Sequence, residues 1–266
     1  KYADIYKSAS ASLAIEKLEQ LKALEPSNTA VDKKLAEIYY LKNDFSKAAD
    51  AYSRFAMGPT ATEEDLVKYA FALFLNHDFA KSLEVANMGL RKNPRHAAFN
   101  RLAMYNYTDL KRFDEAIKAA DIFFNECDKA DYSYLDYMYY GHLLEDLKKY
   151  DDAVVQYEKA VEMDPTKTDL YKNISAAYEQ KNDYKKAIGA YHKYYSSLDK
   201  EKQTPDLQFQ FGRLYYGAGT QPDSLTITVD ERKQALASAD SVFQALAVAA
   251  PDSYLGNFWR ARANSA

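Results

Sequence analysis

A fixed spacing of 34 residues constrains this chain more than any other feature. Phe45, Phe79 and Phe113 each follow a short polar turn and stand 34 residues apart, and Tyr150 and Tyr184 repeat the same interval. Recurrence at one period is the mark of a stacked architecture, in which each unit buries its apolar face on the next. The step from Phe113 to Tyr150 is three residues longer, and the extra residues fall near Asp131 to Ser133. The clearest copy runs from Lys149 to Pro165, where Tyr150, Ala153, Tyr157 and Ala160 recur at helical spacing before the closing proline. That spacing predicts an amphipathic helix with a defined stop.

Composition supports helices. Across 266 residues only 8 Gly and 7 Pro are available to punctuate the chain. Tyrosine is abundant, with 24 Tyr and 13 Phe against a single Trp. A tyrosine buries a large ring while its hydroxyl reaches water or a backbone partner, which suits thin helical layers. The net charge of −4 gives no electrostatic reason to expect a nucleic acid or an anionic membrane as partner. No apolar run approaches the roughly 18 residues a spanning helix needs, and residues 1–20 lack a signal peptide's basic start and apolar centre. The chain begins at Lys1 without Met, as expected of a mature product or an excised piece, so an export signal removed beforehand is compatible with it. The compartment, cytoplasmic or periplasmic, stays open. The single Cys127 excludes an intrachain disulfide and a cysteine-based zinc site.

This pattern resembles the tetratricopeptide repeat family, bacterial members in particular. The family's small residue in the first helix falls on Ala36, Ala70, Gly141, Ser175 and Gly212, with Met104 as a departure, and its second small residue on Ala48, Ser82, Ala116, Ala153, Ala187 and Ala239. These are the crossings of paired helices, where a small side chain lets the backbones approach. The family's tyrosine late in the first helix is matched by Tyr39, Tyr107, Tyr178 and Tyr215, with Leu73 and Leu144 as apolar substitutes. Pro26, Pro94, Pro165 and Pro251 close second helices, and Pro59 stands one place early. The resemblance implies an all-α fold, a right-handed superhelical solenoid of antiparallel helix pairs. It implies a single solenoid over residues 1–266. Its units would be a divergent 1–28, then 29–62, 63–96, 97–130, 134–167 and 168–201, then 205–253 with an insertion near 217–230, and an incomplete 254–266 that reads as truncated.

Local signals refine this expectation. Asn43-Asp44, Asn76-His77-Asp78 and Asn182-Asp183 supply residues that tolerate a left-handed backbone and cap the next helix, whereas Lys111-Arg112 and Lys148-Lys149 do not. Phe55, Phe123 and Tyr194 occupy a second-helix site that is small in the family, which predicts an exchange of volume between neighbours. Gly217-Ala218-Gly219 reads as loop, and Leu225 to Val229 as a short extended segment. Thr228 with Glu231 reads as a capping box for a lengthened helix to about Ala247.

No pattern carries catalytic chemistry: HExxH, GxSxG and P-loop signatures are missing, so no enzyme activity, cofactor or metal is expected. His142, Glu145 and Asp146 share a helix face and could in principle meet a cation, but further ligands are lacking and a polar patch facing solvent accounts for them. The sequons at Asn106 and Asn173 fall inside packed helices, where glycosylation would require unfolding. The resemblance implies that partners bind in a concave groove lined by the first helices. The candidate groove residues are Lys33, Lys34 and Tyr40, then Lys68, Phe71 and Phe74, then Arg101 and Tyr105, then Tyr139 and His142. Exposed Phe71 and Phe74 beside Tyr105 and Arg101 would suit an extended peptide with acidic and apolar side chains. The expected function is a non-enzymatic scaffold binding a protein or peptide. The alternative is the regulatory or targeting portion of a longer chain, such as a cell-envelope assembly factor. The oligomeric state is not legible from the sequence.

Overall fold

The short polar turns end one helix and begin the next, so the chain is a succession of antiparallel helices. The computed structural model describes residues 2–56, 58–127, 132–222 and 227–266, with side chains from Ser10 onward. Among these residues there are helices and no strands. A long first helix, α1 (Tyr2–Leu24), precedes the pairs α2 (Thr29–Leu41) with α3 (Phe45–Phe55), α4 (Glu63–Leu75) with α5 (Phe79–Lys92), and α6 (Ala97–Asp109) with α7 (Phe113–Asn125). Then follow α8 (Tyr134–Asp146) with α9 (Tyr150–Met163), α10 (Leu170–Gln180) with α11 (Tyr184–Ser197), α12 (Pro205–Gly219) with α13 (Val229–Ala249), and α14 (Leu255–Ser265).

The helices fall into two compact units, residues 1–131 and 132–266. The division coincides with the longer step between Phe113 and Tyr150, of which residues 128–131 lie outside the described part.

Within each unit the crossings explain the small residues. Ala48, Ser82, Ala116, Ala153, Ala187 and Ala239 are all 0% exposed. Opposite them Gly141 leaves no room for a side chain: a Cβ there would lie 2.5 Å from the Tyr157 ring, and one on Gly212 2.5 Å from the Phe243 ring. Met104 and Thr108 are buried in α6, so the departure from a small residue at Met104 is absorbed in the core. Ser82 is polar at such a crossing, and its hydroxyl donates to the Ala70 carbonyl at 2.7 Å, which satisfies it without water.

A different exchange, between successive helices, is visible along the second-helix site that holds Phe55, Gly89, Phe123, Ala160 and Tyr194. At Gly89 the missing side chain is replaced by Phe99 of the next helix, whose ring lies 2.1 Å from where a Cβ would be. At Phe55 the large ring is present instead and the incoming helix brings Asp65, with the Lys33 ammonium over the ring at 5.0 Å and 2.8 Å from the Asp65 carboxylate. Each seam is filled by a different pair of side chains.

The turns separate backbone demand from sequence preference. Asn43, His77 and Asn182 adopt φ of 59°, 60° and 59°, and Asp44, Asp78 and Asp183 cap the following helices by accepting backbone N–H bonds. Lys111 and Lys148 adopt the same left-handed φ of 58°, although neither residue favours it, and the next residues provide no side-chain cap. Packing of the paired helices imposes the turn there at a local cost.

The region of the insertion differs from expectation. Gly217, Ala218 and Gly219 continue α12 and are not a loop. Their smallness serves close approach: a Cβ on Gly217 would lie 2.3 Å from the Tyr184 ring, and one on Gly219 2.4 Å from Leu236. The expected capping box is present, with Thr228 Oγ1 accepting from the Glu231 N–H and Glu231 accepting from the Thr228 N–H at 2.8 Å, and α13 runs two residues past Ala247. Residues 225 and 226 of the expected extended segment lie outside the described residues, and its last residue, Val229, is the first of α13.

Candidate protein-binding surface

The candidate groove residues divide between the units, and each unit treats them differently. In residues 1–131 the first-helix face is built from α2, α4 and α6. Lys34 is exposed and pairs with Glu37 at 2.9 Å, and Tyr40 is half-buried with its ring edge-on to Phe45. Lys68 is half-buried and pairs with Glu64 at 2.7 Å, a contact that raises its ammonium above the usual lysine range. Phe71 is half-buried on the same stripe, one turn from Lys68 and from Phe74.

Phe74 and Tyr105 are not surface residues. They are 9% and 1% exposed and stack on each other at 5.5 Å, with Phe79 completing the cluster. The expectation of an exposed Phe74 is therefore corrected: rings on successive first helices pack on each other rather than toward solvent. Arg101 lies over the Phe123 ring at 5.1 Å, and Lys33 is committed to Asp65 and Phe55, so both cations serve seams between helices. What remains accessible is a strip of Lys34, Tyr40, Lys68 and Phe71.

Helices α2 and α4 each also carry a buried carboxylate. Asp32 is 0% exposed, held by Lys22 of α1 and by Arg54 of α3 at 2.7 Å. Asp65 is the third residue of a capping box with Thr62. Burial pushes its carboxyl up, but the Lys33 ammonium and the Thr62 N–H and hydroxyl outweigh burial and hold it below the ordinary carboxylate range. The threonine three residues before an aspartate was a readable signal for Asp65.

In residues 132–266 Tyr139 and His142 are half-buried on α8. His142 Nδ1 is 3.0 Å from the Tyr157 hydroxyl, and that hydroxyl donates to Glu145 at 2.6 Å. With the one phenolic proton directed at Glu145, the histidine contact requires Nδ1–H as donor. Burial first, and Glu145 second, push the Tyr157 phenol well above its usual range. The cluster of His142, Glu145 and Asp146 is thus organised around a tyrosine rather than being a loose solvent-facing patch. Among the described residues no group of three His, Cys, Asp or Glu is disposed to hold a metal ion. Asn106 of the first sequon is fully buried and donates to Ser82 at 2.8 Å.

The same unit carries a cleft of about 610 Å³ between α10 and α12, lined by Lys172, Glu179, Phe209 and Arg213 among others. These first-helix positions carry forward the pattern of the candidate groove. Among the described residues no helix is long and apolar enough to cross a membrane.

The comparisons with known proteins agree with the helical-repeat fold. Residues 137–167 match the family model described as tetratricopeptide repeat. Among solved structures, the C-terminal part of a TPR repeat-containing protein from Cytophaga hutchinsonii is 26% identical over 75% of this chain and 70% of that one, with a TM-score of 0.57. A tetratricopeptide repeat protein from Parabacteroides merdae is 16% identical over 98% of this chain and 95% of that one, with a TM-score of 0.59. MamA from Desulfovibrio magneticus is 15% identical over 66% of this chain and 97% of that one, with a TM-score of 0.56. No curated protein matches the chain. Residues 137–167 carry a tetratricopeptide repeat, and the chain has the all-helical solenoid fold of the tetratricopeptide-repeat proteins.

Proposed function

We propose that the chain is a non-enzymatic protein-interaction scaffold, and that in residues 1–131 it binds a partner segment along the first-helix strip of Lys34, Tyr40, Lys68 and Phe71. The observation that carries this reading is Phe71: a large ring left at the surface beside cations, on a face otherwise closed by Phe74 and Tyr105. An apolar anchor flanked by Lys34 and Lys68 suits an extended segment or a helix with apolar and acidic side chains, the cations setting its orientation. A repeat fold supports such a role because its helices are held by the core, so the surface strip is preformed and ordering costs little on binding.

The test is recovery of partners on the immobilised chain with identification by mass spectrometry. A partner of this strip is lost with Phe71→Ala combined with Lys68→Ala, and retained with Glu84→Ala on the second helix α5. Partners retained by the double variant, with helical content unchanged, would remove the strip as the binding surface.

A further inference from the structure

We infer a carboxylate-binding site at the end of residues 132–266, built from Arg262 on a platform of aromatic rings, whose ligand is an extended peptide segment carrying Asp or Glu. The site lies outside the Phe71 strip and does not depend on it.

The platform follows from helical spacing. Phe209, Arg213 and Tyr216 lie on one stripe of α12, at i, i+4 and i+7. Trp259 of α14 rests against this stripe, with ring centres 5.7 Å from Phe209 and 5.2 Å from Tyr216, and reaches Phe243 of α13 at 5.8 Å. Arg262, one turn further along α14, lays its guanidinium 4.9 Å from the Trp259 ring centre, 5.4 Å from Tyr216 and 5.9 Å from Phe258.

The guanidinium is fixed by rings alone. Among the described residues it makes no hydrogen bond and no ion pair, whereas Arg260 on the same helix is occupied by Asp240 at 3.0 Å. Stacking holds the face of a guanidinium and leaves its edge N–H groups free, and that edge is the part that accepts a carboxylate through two parallel bonds. Rings that immobilise the cation beforehand reduce the ordering cost of capture.

The surroundings select the ligand. Phe209 borders both this platform and the cleft between α10 and α12, so a segment anchored at Arg262 runs on past Arg213 toward Lys172. Along that strip Arg213 lies 3.7 Å from Glu179, which leaves Lys172 and Arg262 against Asp206, on a chain whose formal net charge is −4. Phe258, 48% exposed, and Tyr254, 73% exposed, add apolar surface beside the cation. The complement is an acidic segment with an apolar or aromatic side chain next to its carboxylate.

Trp259 is the one tryptophan of the chain, so its fluorescence reports this site directly. The probe is a synthetic peptide of Glu and Leu without Trp, acetylated and amidated, titrated into the full chain; companion probes carry Gln in place of Glu, or a free C-terminal carboxylate as the single acid. The acidic probe is expected to shift Trp259 emission saturably and the Gln probe is not. Arg262→Ala is expected to weaken the acidic probe by about tenfold or more, the range of a lost charge-assisted bond. Arg262→Lys loses most of the same affinity, because an ammonium cannot stack and bind two oxygens at once. Calorimetry gives the affinity independently of any change Arg262→Ala makes to the fluorescence itself. Response to the free-carboxylate probe alone assigns Arg262 to a chain terminus, and response to the amidated acidic probe assigns it to side chains. Equal binding of the acidic and Gln probes, no binding of either acid, or unchanged affinity in Arg262→Ala would overturn the site. None of these results bears on partner recovery through Phe71, so the two readings fail separately.

Discussion

In residues 1–131 two fully buried aspartates tie helices together through cations, whereas in residues 132–266 the Asp240–Arg260 pair joining α13 to α14 is only half-buried and tyrosine hydroxyls and stacked rings join several of the other helices. Asp32 ties α1, α2 and α3 through Lys22 and Arg54, and Asp65 ties α4 to α2 through Lys33. In the second unit Tyr157 reaches from α9 to His142 and Glu145 on α8, Tyr191 reaches from α11 to the Leu207 carbonyl at 3.0 Å, and Phe211 stacks on Tyr191 and Tyr195. The contrast is sharpest at one place in the repeat. Tyr52 and Tyr157 occupy the same position of their units, yet the Tyr157 hydroxyl is bonded and the buried Tyr52 hydroxyl has no partner among the described residues. A helix-pair stack therefore does not prescribe how its polar groups are satisfied. Each seam solves that problem with whatever side chains meet there.

The comparison can be broken most forcefully at Asp32. Lys22→Ala combined with Arg54→Ala leaves a fully buried carboxylate without its cations, and the expected loss is about 3–5 kcal/mol, read as a lowered denaturation midpoint. Replacing the three residues together by Met, Leu and Leu is expected to be near neutral, since a buried ion pair contributes little over well-packed apolar groups. A double variant as stable as the parent would mean that Asp32 is not held by these cations.

A medium effect is expected where rings replace side chains. Gly141→Ala places a Cβ 2.5 Å from the Tyr157 ring and disturbs the ring whose hydroxyl His142 and Glu145 share, for a loss of about 1–3 kcal/mol. Gly189→Ala, in a helix interior with no heavy atom within 4 Å of the new Cβ, is expected to gain about 0.5–1 kcal/mol. Thermal unfolding of both variants decides it; the same sign for both would refute the close-approach account.

The smallest effect is the most discriminating. Tyr157→Phe removes a hydroxyl with two partners and strands Glu145 and His142, for a loss of about 1–2 kcal/mol, whereas Tyr52→Phe removes an orphaned hydroxyl and is expected to be neutral or slightly stabilising. Equal losses in the two variants would show that the Tyr52 hydroxyl is satisfied and that the two units do not differ here.

The 34-residue period, the small residues at the helix crossings, the closing prolines and the capping box at Thr228 were legible from the sequence, because each is a local signal or a repetition of one. They were enough to specify helices, their order and the solenoid class. The candidate site was legible only in part. Phe71 and Lys68 are half-buried, whereas Phe74 and Tyr105 are core, because the same helix face that meets solvent also meets the next repeat. Tertiary structure alone decided that Lys111 and Lys148 take left-handed turns, that Gly217 and Gly219 lie within a helix, and that Asp32 is enclosed by two cations. Each of these depends on residues far apart in sequence meeting at a seam. Local propensities act within a few residues, whereas the space, charge and hydrogen-bond partners at a seam are set by the helices brought together there.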